Sequence, residues 1–335
     1  MPLKEVLGHR RLVALIARSV SRDALPPSLI FSGPPGVGKK LTAVAAAQLL
    51  NCTARVGEGV SIDACGVCRS CTRIARGVHS DVIIVEPGDS GSIKIEQIRD
   101  IVERTAYRPF EGRCRVVIID AAEALVVQAQ NALLKTLEEP PAASVFVLVT
   151  AQPDLLLPTV RSRCPQLRFS PLPVPDLVAV LVRHGRSETE ARLVAETADG
   201  SLQRALESMA GDLAEGRDVA QQVLLHAAAT TEPRRRLDRA KDLVASTGSG
   251  SGDREQLAVH LRSMSSLLRD AELVASRADR RVLANPDLTA TIERLAETYR
   301  GTRGHQAFVA VDQALAALDR NAGVKVVADW LLLQL

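Results

Sequence analysis

Two short stretches of this chain carry residue types that can do chemistry. The first, GPPGVGKKLTA at 33–43, fits the phosphate-cradling pattern G-x-x-x-x-G-K-[ST] at every position but the last, where Lys40 stands. In such a loop, backbone N–H groups and a helix N-terminus surround the phosphates while the lysine reaches the β and γ oxygens. Gly33, Gly36, Gly38 and Lys39 supply those parts. The hydroxyl that should follow the lysine would hold magnesium. Lys40 cannot replace it, because an ammonium has donors but no lone pair for a metal. Thr42 is displaced by about 200° around a helix and points elsewhere. Downstream, RVVIIDAAEAL puts Asp120 at a strand end, where it could hold magnesium. Ala121 then occupies the place of the glutamate that activates water, and Glu123 reads as a solvated or capping residue of the next helix. Two catalytic parts are missing together, which predicts a nucleotide-binding fold with disabled hydrolysis.

The second stretch, NCTARVGEGVSIDACGVCRSC, holds Cys52, Cys65, Cys68 and Cys71. The last three follow C-x2-C-x2-C, and Cys52 can loop back as a fourth thiolate. Such a set reads as a tetrahedral zinc site. The paired C-x2-C steps also open an iron–sulfur pattern, but no cysteine followed by proline completes it. Unligated thiols are the third reading. Nothing nearby offers an open coordination position or a general base, so the expected metal is structural. Cys114 and Cys164 stand apart and read as small buried residues.

These groups need elements to position them. A short apolar strand at 29–33 ends at the first loop glycine, and a helix from Lys39 to Leu50 follows. Further β-branched runs at 82–85, 115–119 and 145–149 alternate with helix-like segments. That alternation predicts a parallel sheet covered on both faces. The pattern stops near Phe169, and SPLPVPD at 170–176 reads as a hinge. Beyond it the chain reads as helical, with breaks at Gly185 and Asp199-Gly200. Leu257, Leu261, Met264 and Leu268, and then Val311, Leu315 and Leu318, recur at helical spacing and read as bundle core. STGSGSGD at 246–253 reads as a flexible loop between helices.

Composition narrows the function classes. The 335 residues favour two or three domains, and 46% hydrophobic content supplies real cores. A net charge of +3 and 2% aromatics argue against a surface devoted to nucleic acid. The apolar runs fall short of the roughly 20 residues that span a bilayer, and the start MPLKEVLGHRRLV lacks a signal-peptide core. The expected compartment is the cytoplasm, where cysteines serve as thiols or metal ligands.

The order of these parts resembles one family. The loop with an inserted four-cysteine module, YRPFEGRCRVVIIDAAEAL, QNALLKTLEEPP and TVRSRC are similar to bacterial clamp-loader subunits of the AAA+ superfamily. GSLQRAL at 200–206 and the C-terminal LDRNAGVKVVADWLLLQL extend the match over nearly the whole chain. The family's motor subunits (gamma/tau) carry an intact loop threonine and an acidic pair after the strand. This sequence departs at both places, which points to the delta-prime branch, described as the rigid stator of a five-subunit ring. The resemblance implies an α/β P-loop AAA+ domain at 1–169 with a zinc module at 52–71. It implies a helical lid at 170–212 and an all-α oligomerising collar at 213–335. It implies zinc on the four cysteines, and ATP binding that is weak or absent. Arg163 of SRC matches the arginine finger presented to a neighbour's ATP, Thr150 matches the first sensor position, and Arg204 sits near the second. Implied partners are the gamma/tau and delta subunits and, through the complex, the sliding clamp and primed DNA, with no membrane. The alternatives are a hydrolysing motor subunit that tolerates Lys40 and a zinc-containing nucleic-acid-binding regulator.

Overall fold

The computed structural model describes every residue except Met1, Asp89, Ser208, Met209, Thr231, 245–249, 279–282 and Asn321. The chain divides into two compact units, one of Met1–Asp176 with Gly200–Gln203, the other of Leu177–Asp199 with Arg204–Leu335.

The first unit is the α/β body. Its strands are β1 (Ser28–Ser32), β2 (Val82–Val85), β3 (Arg115–Ile119), β4 (Ser144–Thr150) and β5 (Gln166–Arg168), in the order β2-β3-β4-β1-β5. Every pair is parallel. Its helices are α1 (Arg10–Ser21), α2 (Lys39–Asn51), α3 (Arg69–Ala75), α4 (Ile95–Thr105), α5 (Val127–Glu138) and the single turn α6 (Pro158–Arg161). Successive strand residues face opposite ways. Leu29 and Phe31 of β1 therefore join Val116, Ile118, Val145 and Val147 in a core under α1 and α2. Ile30, Val117, Ile119, Phe146 and Leu148 join the core under α4 and α5. Four strands lie within a residue of their expected bounds. The fifth, β5, was not expected, because Gln166–Arg168 offers one apolar residue in three and borrows its conformation from pairing with β1.

The second unit is helical throughout its described residues. It takes most of α7 (Val174–Arg183), then α8 (Glu188–Thr197), the end of α9 (Leu202–Glu207), α10 (Ala210–Ala229), α11 (Pro233–Leu243), α12 (Gly250–Ala275), α13 (Thr289–Thr298), α14 (Thr302–Asp319) and α15 (Val324–Gln334). The predicted breaks fall where Gly185 and Gly200 adopt left-handed backbone between helices. The central helix α12 packs on α10, α13 and α14, and α11 packs on α15. Leu257, Leu261, Met264, Leu268, Val311 and Leu318 are buried in this core, with Leu315 against it. The Tyr299 hydroxyl donates to the Leu224 carbonyl at 3.2 Å, so this buried polar ring is satisfied at its tip. The expected loop at 246–253 is corrected in its second half: Gly250–Asp253 open α12, where the apolar stripe further along holds the helix despite its glycines, and 246–249 lie outside the described residues.

Candidate nucleotide loop and metal centre

The glycine loop runs from the end of β1 to the start of α2, the strand–loop–helix setting a phosphate cradle needs. Gly33 has φ of 141°, and a Cβ there would lie 2.1 Å from the Phe169 carbonyl oxygen. Gly36 has φ of 74°, and a Cβ there would meet the Ser201 hydroxyl at 2.0 Å. The strap Gly200–Gln203 lies beside the loop, with the Gln203 N–H donating to the Gly36 carbonyl at 3.2 Å. Beneath the loop, His9 Nε2–H donates to the Val37 carbonyl at 2.9 Å, and burial holds this imidazole below its ordinary pKa.

Lys39 is buried, and its ammonium donates to the Gly33 and Pro34 carbonyls at 2.6 Å each. Burial lowers its pKa, opposed by Glu123 and Asp120. Thr42 is fully buried and donates to the Gly38 carbonyl at 2.9 Å, so its hydroxyl faces its own helix as the spacing predicts. Lys40 reaches across the C-terminal ends of two neighbouring strands. Its ammonium bonds to Glu86, one residue past β2, and lies 3.1 Å from Asp120 Oδ2, one residue past β3. Burial works against its charge, but these two carboxylates outweigh it and raise the pKa.

Ala121 sits in left-handed backbone at φ 51°, and its N–H donates to Asp120 Oδ1 at 3.1 Å. The reading of Glu123 as a solvated or capping residue of the next helix is corrected. It lies in a short 3-10 turn, Ala122–Ala124, and Oε1 accepts from the Ala151 N–H at 3.2 Å. Its Oε2 is buried without a hydrogen-bond partner among the described residues. Glu86 was missed in the sequence. Its one signal is its place at the carboxyl end of a parallel strand, where ligand groups of open α/β sheets gather.

The four cysteines stand together as the spacing predicts. Their sulfurs lie within 4.8 Å of one another, from the C-terminus of α2 to the first turn of α3. Cys52 Sγ and Cys65 Sγ are 3.6 Å apart. That is far beyond the roughly 2.05 Å of a disulfide and close to the edge of about 3.8 Å that metal–sulfur bonds of about 2.3 Å give in a tetrahedron. The backbone N–H groups of Cys65, Cys68 and Cys71 donate to Cys52, Cys65 and Cys68 sulfurs at 3.3, 3.3 and 3.5 Å. Such donors stabilise thiolates. Burial disfavours charge on Cys68, but the N–H of Cys71 and the bonds from Thr53 outweigh it and pull the thiol down to about 5. Burial pushes Cys52 and Cys71 up. A dication would reverse that, since a coordinating thiol is deprotonated outright. Four sulfur donors, Cys52 and Cys71 fully buried, fit a closed structural metal.

The module is stitched to its surroundings. Gln48 donates to the Cys71 carbonyl at 2.7 Å. The Asp63 carboxylate accepts from the Leu3 and Lys4 N–H groups at 2.9 Å each, tying the module to the first residues of the chain. Cys164 is buried and Cys114 half-buried, both away from the cluster, and burial pushes each thiol up to about 11.

A second anchored loop lies between α4 and β3. Asp81 is fully buried and accepts from the N–H groups of Phe110, Glu111 and Gly112 at 2.8 Å each and from the Arg115 guanidinium at 2.9 Å. Arg115 also bonds to the Arg104, Tyr107 and Arg108 carbonyls. Burial opposes the Asp81 charge, and these donors overcome it, holding the carboxyl at about 2.

Arg163 follows α6. Its guanidinium bonds to the Glu138 carboxylate at the end of α5, and to the Thr159 carbonyl at 2.7 Å. These partners include no residue of the glycine loop. Arg161 pairs with Asp154 at 2.6 Å. Thr150 is buried at the end of β4, with Oγ1 accepting from the Gln152 N–H at 3.1 Å, and Arg204 pairs with Asp199 at 3.3 Å.

Residues 8–173 match the family described as DNA polymerase III, delta subunit. The delta-prime subunit of Pseudomonas aeruginosa is 41% identical over 145 residues, which are 43% of each chain. The delta-prime subunit of Bacillus subtilis is 34% identical over 207 residues, covering 62% of this chain and 61% of that one. The tau subunit of Salmonella typhimurium is 36% identical over 208 residues, covering 60% of this chain and 32% of its own. The chain thus spans about a third of the tau-type relatives and no more than 61% of these delta-prime relatives. Among the described residues, no helix is long and apolar enough to cross a membrane. Over residues 8–173, which carry the glycine loop, the parallel sheet and the four-cysteine module described above, the chain is similar to DNA polymerase III clamp-loader subunits.

Proposed function

We propose that this chain is a non-hydrolysing, delta-prime-type stator of a clamp-loader ring. It assembles with gamma/tau motor subunits and a delta subunit in the cytoplasm and lends Arg163 to a neighbour's ATP, so that the ring loads the sliding clamp onto primed DNA. The observation that carries the reading is a phosphate loop that keeps its glycines and Lys39, with Lys40 in the place of its hydroxyl and Ala121 after Asp120: the cradle is kept and the group that would activate water is absent. The resemblance to both delta-prime and tau relatives supports a clamp-loader subunit, and Lys40 with Ala121 favours the stator over the motor. In this reading 1–169 is the AAA+ domain, 170–212 the lid and 213–335 the collar. Zinc on Cys52, Cys65, Cys68 and Cys71 staples the module and takes no part in the reaction.

Arg163 is suited to the finger role because its own partners keep it away from its own loop and on the domain surface. A guanidinium offers a planar fork to phosphate oxygens and neutralises charge as it develops. In the single chain Glu138 holds that fork, so reaching a neighbour's phosphate means exchanging one anion for another. Fingers supplied in trans raise rates about 10³–10⁵-fold in GTPases; one of several ring sites would contribute less. The test is a ring reconstituted with Arg163→Ala. The variant folds and assembles, while DNA- and clamp-stimulated ATPase and clamp loading fall, and Arg163→Lys does not rescue them. Full activity of the alanine ring rejects the finger. Turnover by the isolated wild-type chain at a motor's rate rejects the stator in favour of the hydrolysing motor.

A further inference from the structure

The loop's lost hydroxyl is replaced by something, and what replaces it is a cation. Lys40 is the second residue of α2, at the position whose side chain would face a magnesium ion. Its ammonium is hydrogen-bonded to Glu86 and 3.1 Å from Asp120, the carboxylate at the strand end where the metal would be held. The second Asp120 oxygen already accepts the Ala121 N–H at 3.1 Å. A magnesium ion binds oxygen at about 2.1 Å in strict octahedral geometry and gives up its waters reluctantly. To share Asp120 it would have to sit beside the Lys40 ammonium and take a carboxylate both of whose oxygens already have partners. Lys39 and Lys40 already set two positive charges against the carboxylates of Asp120, Glu86 and Glu123. The magnesium implied by the P-loop pattern therefore does not fit this donor set.

We propose that the Lys40 ammonium stands where the divalent cation of a nucleotide pocket would, so that magnesium neither enters this pocket nor strengthens its hold on a nucleoside polyphosphate. The pocket keeps the anion-facing parts, Lys39 and the loop backbone, and carries its own fixed counter-charge in the metal's place. A lysine at this position is then a substitute for the metal, where an alanine would merely have lost it. This needs no neighbouring subunit, so its failure leaves the proposal for Arg163 untouched.

The test uses the purified full chain and a fluorescent ATP analogue, titrated with magnesium and again with a chelator of divalent ions. The wild-type titration is the same in both, whatever its affinity. Lys40→Thr restores a hydroxyl and frees Asp120 and Glu86, and its affinity becomes magnesium-dependent, tighter by about tenfold or more. Lys40→Arg keeps a cation against the two carboxylates and stays insensitive. Unfolding midpoints of the three proteins show that each is folded. Tighter wild-type binding in magnesium overturns the proposal, and so does a folded threonine variant that remains as insensitive as the wild type.

Discussion

The phosphate loop and the cysteine module are built alike and have fared differently. Each is a turn that delivers groups to the start of a helix, the glycine loop into α2 and the cysteine turn into α3. The cysteine module works through side chains, and all four sulfurs are present within 4.8 Å. The glycine loop cradles through backbone, and the side chains that would run a reaction, a hydroxyl at 40 and a carboxylate at 121, are absent. A site made of backbone keeps its shape when its reaction is lost, because the shape depends on glycines and a helix start. A site made of ligand side chains has no shape without them.

Removing one ligand is the hardest blow to that contrast. Cys68→Ser should abolish stoichiometric zinc, measured by metal analysis, while the sheet of the first unit stays folded and Cys52–Cys71 becomes open to proteolysis. Structural zinc binds with about 10–16 kcal/mol in small modules. Because the ligands must be deprotonated, acidification should also release the metal. Retained zinc, or co-purified iron with visible charge-transfer absorption, would break the comparison.

Asp81 supplies a control outside both sites. Asp81→Ala strands Arg115 and three N–H groups and should cost about 3–5 kcal/mol of unfolding free energy. Its carboxyl is held at about 2 against an ordinary 3.8, so its stabilisation is present above roughly pH 4 and is lost as pH falls toward 2. Asp81→Asn should flatten that acid limb in denaturation midpoints measured across the range. An unchanged acid limb would remove this pair from the account.

Restoring chemistry to the loop tests the contrast from its other side. Lys40→Thr alone should leave the isolated chain at background ATPase, because Ala121 still supplies no base, a loss worth about 10²–10⁴-fold. Turnover well above background in the single variant would show that the loop lacks only its hydroxyl.

The smallest effect is on stability at Lys40. Its ion pairs are partly exposed, so Lys40→Met should change unfolding free energy by no more than about 1 kcal/mol, read from denaturant titration. The occupant of the metal's place is removable, and the cysteines are not.

Both sites were legible in the sequence for the same reason: their chemistry is carried by residues close along the chain. Gly33 to Lys39 and Cys65 to Cys71 are local patterns, and Cys52 needs only one loop to return. The four longer strands were legible because both faces of each are covered, leaving unbroken apolar runs. What lay hidden depends on which strands become neighbours. Glu86 meets Lys40 only because β2 lies beside β3, and Asp81 meets Arg115 for the same reason. Glu123 looked solvated because a lone glutamate after two alanines gives no sign that Ala151 will offer it a donor. The three residues of β5 carry no strand signal of their own.

The sheet order has a consequence in time. β1 is complete by residue 32, yet its two partners are β4, ending at 150, and β5, ending at 168. The strand next to the β5 edge is thus made first and flanked last, and pairings of such high sequence separation form slowly. The cysteine turn closes within twenty residues, and Asp63 can take hold of Leu3 and Lys4 as soon as it exists. On a ribosome, the metal module would fold on the chain's opening residues while the strand that leads into the phosphate loop still waits for β4, which begins at Ser144, and for β5 after it.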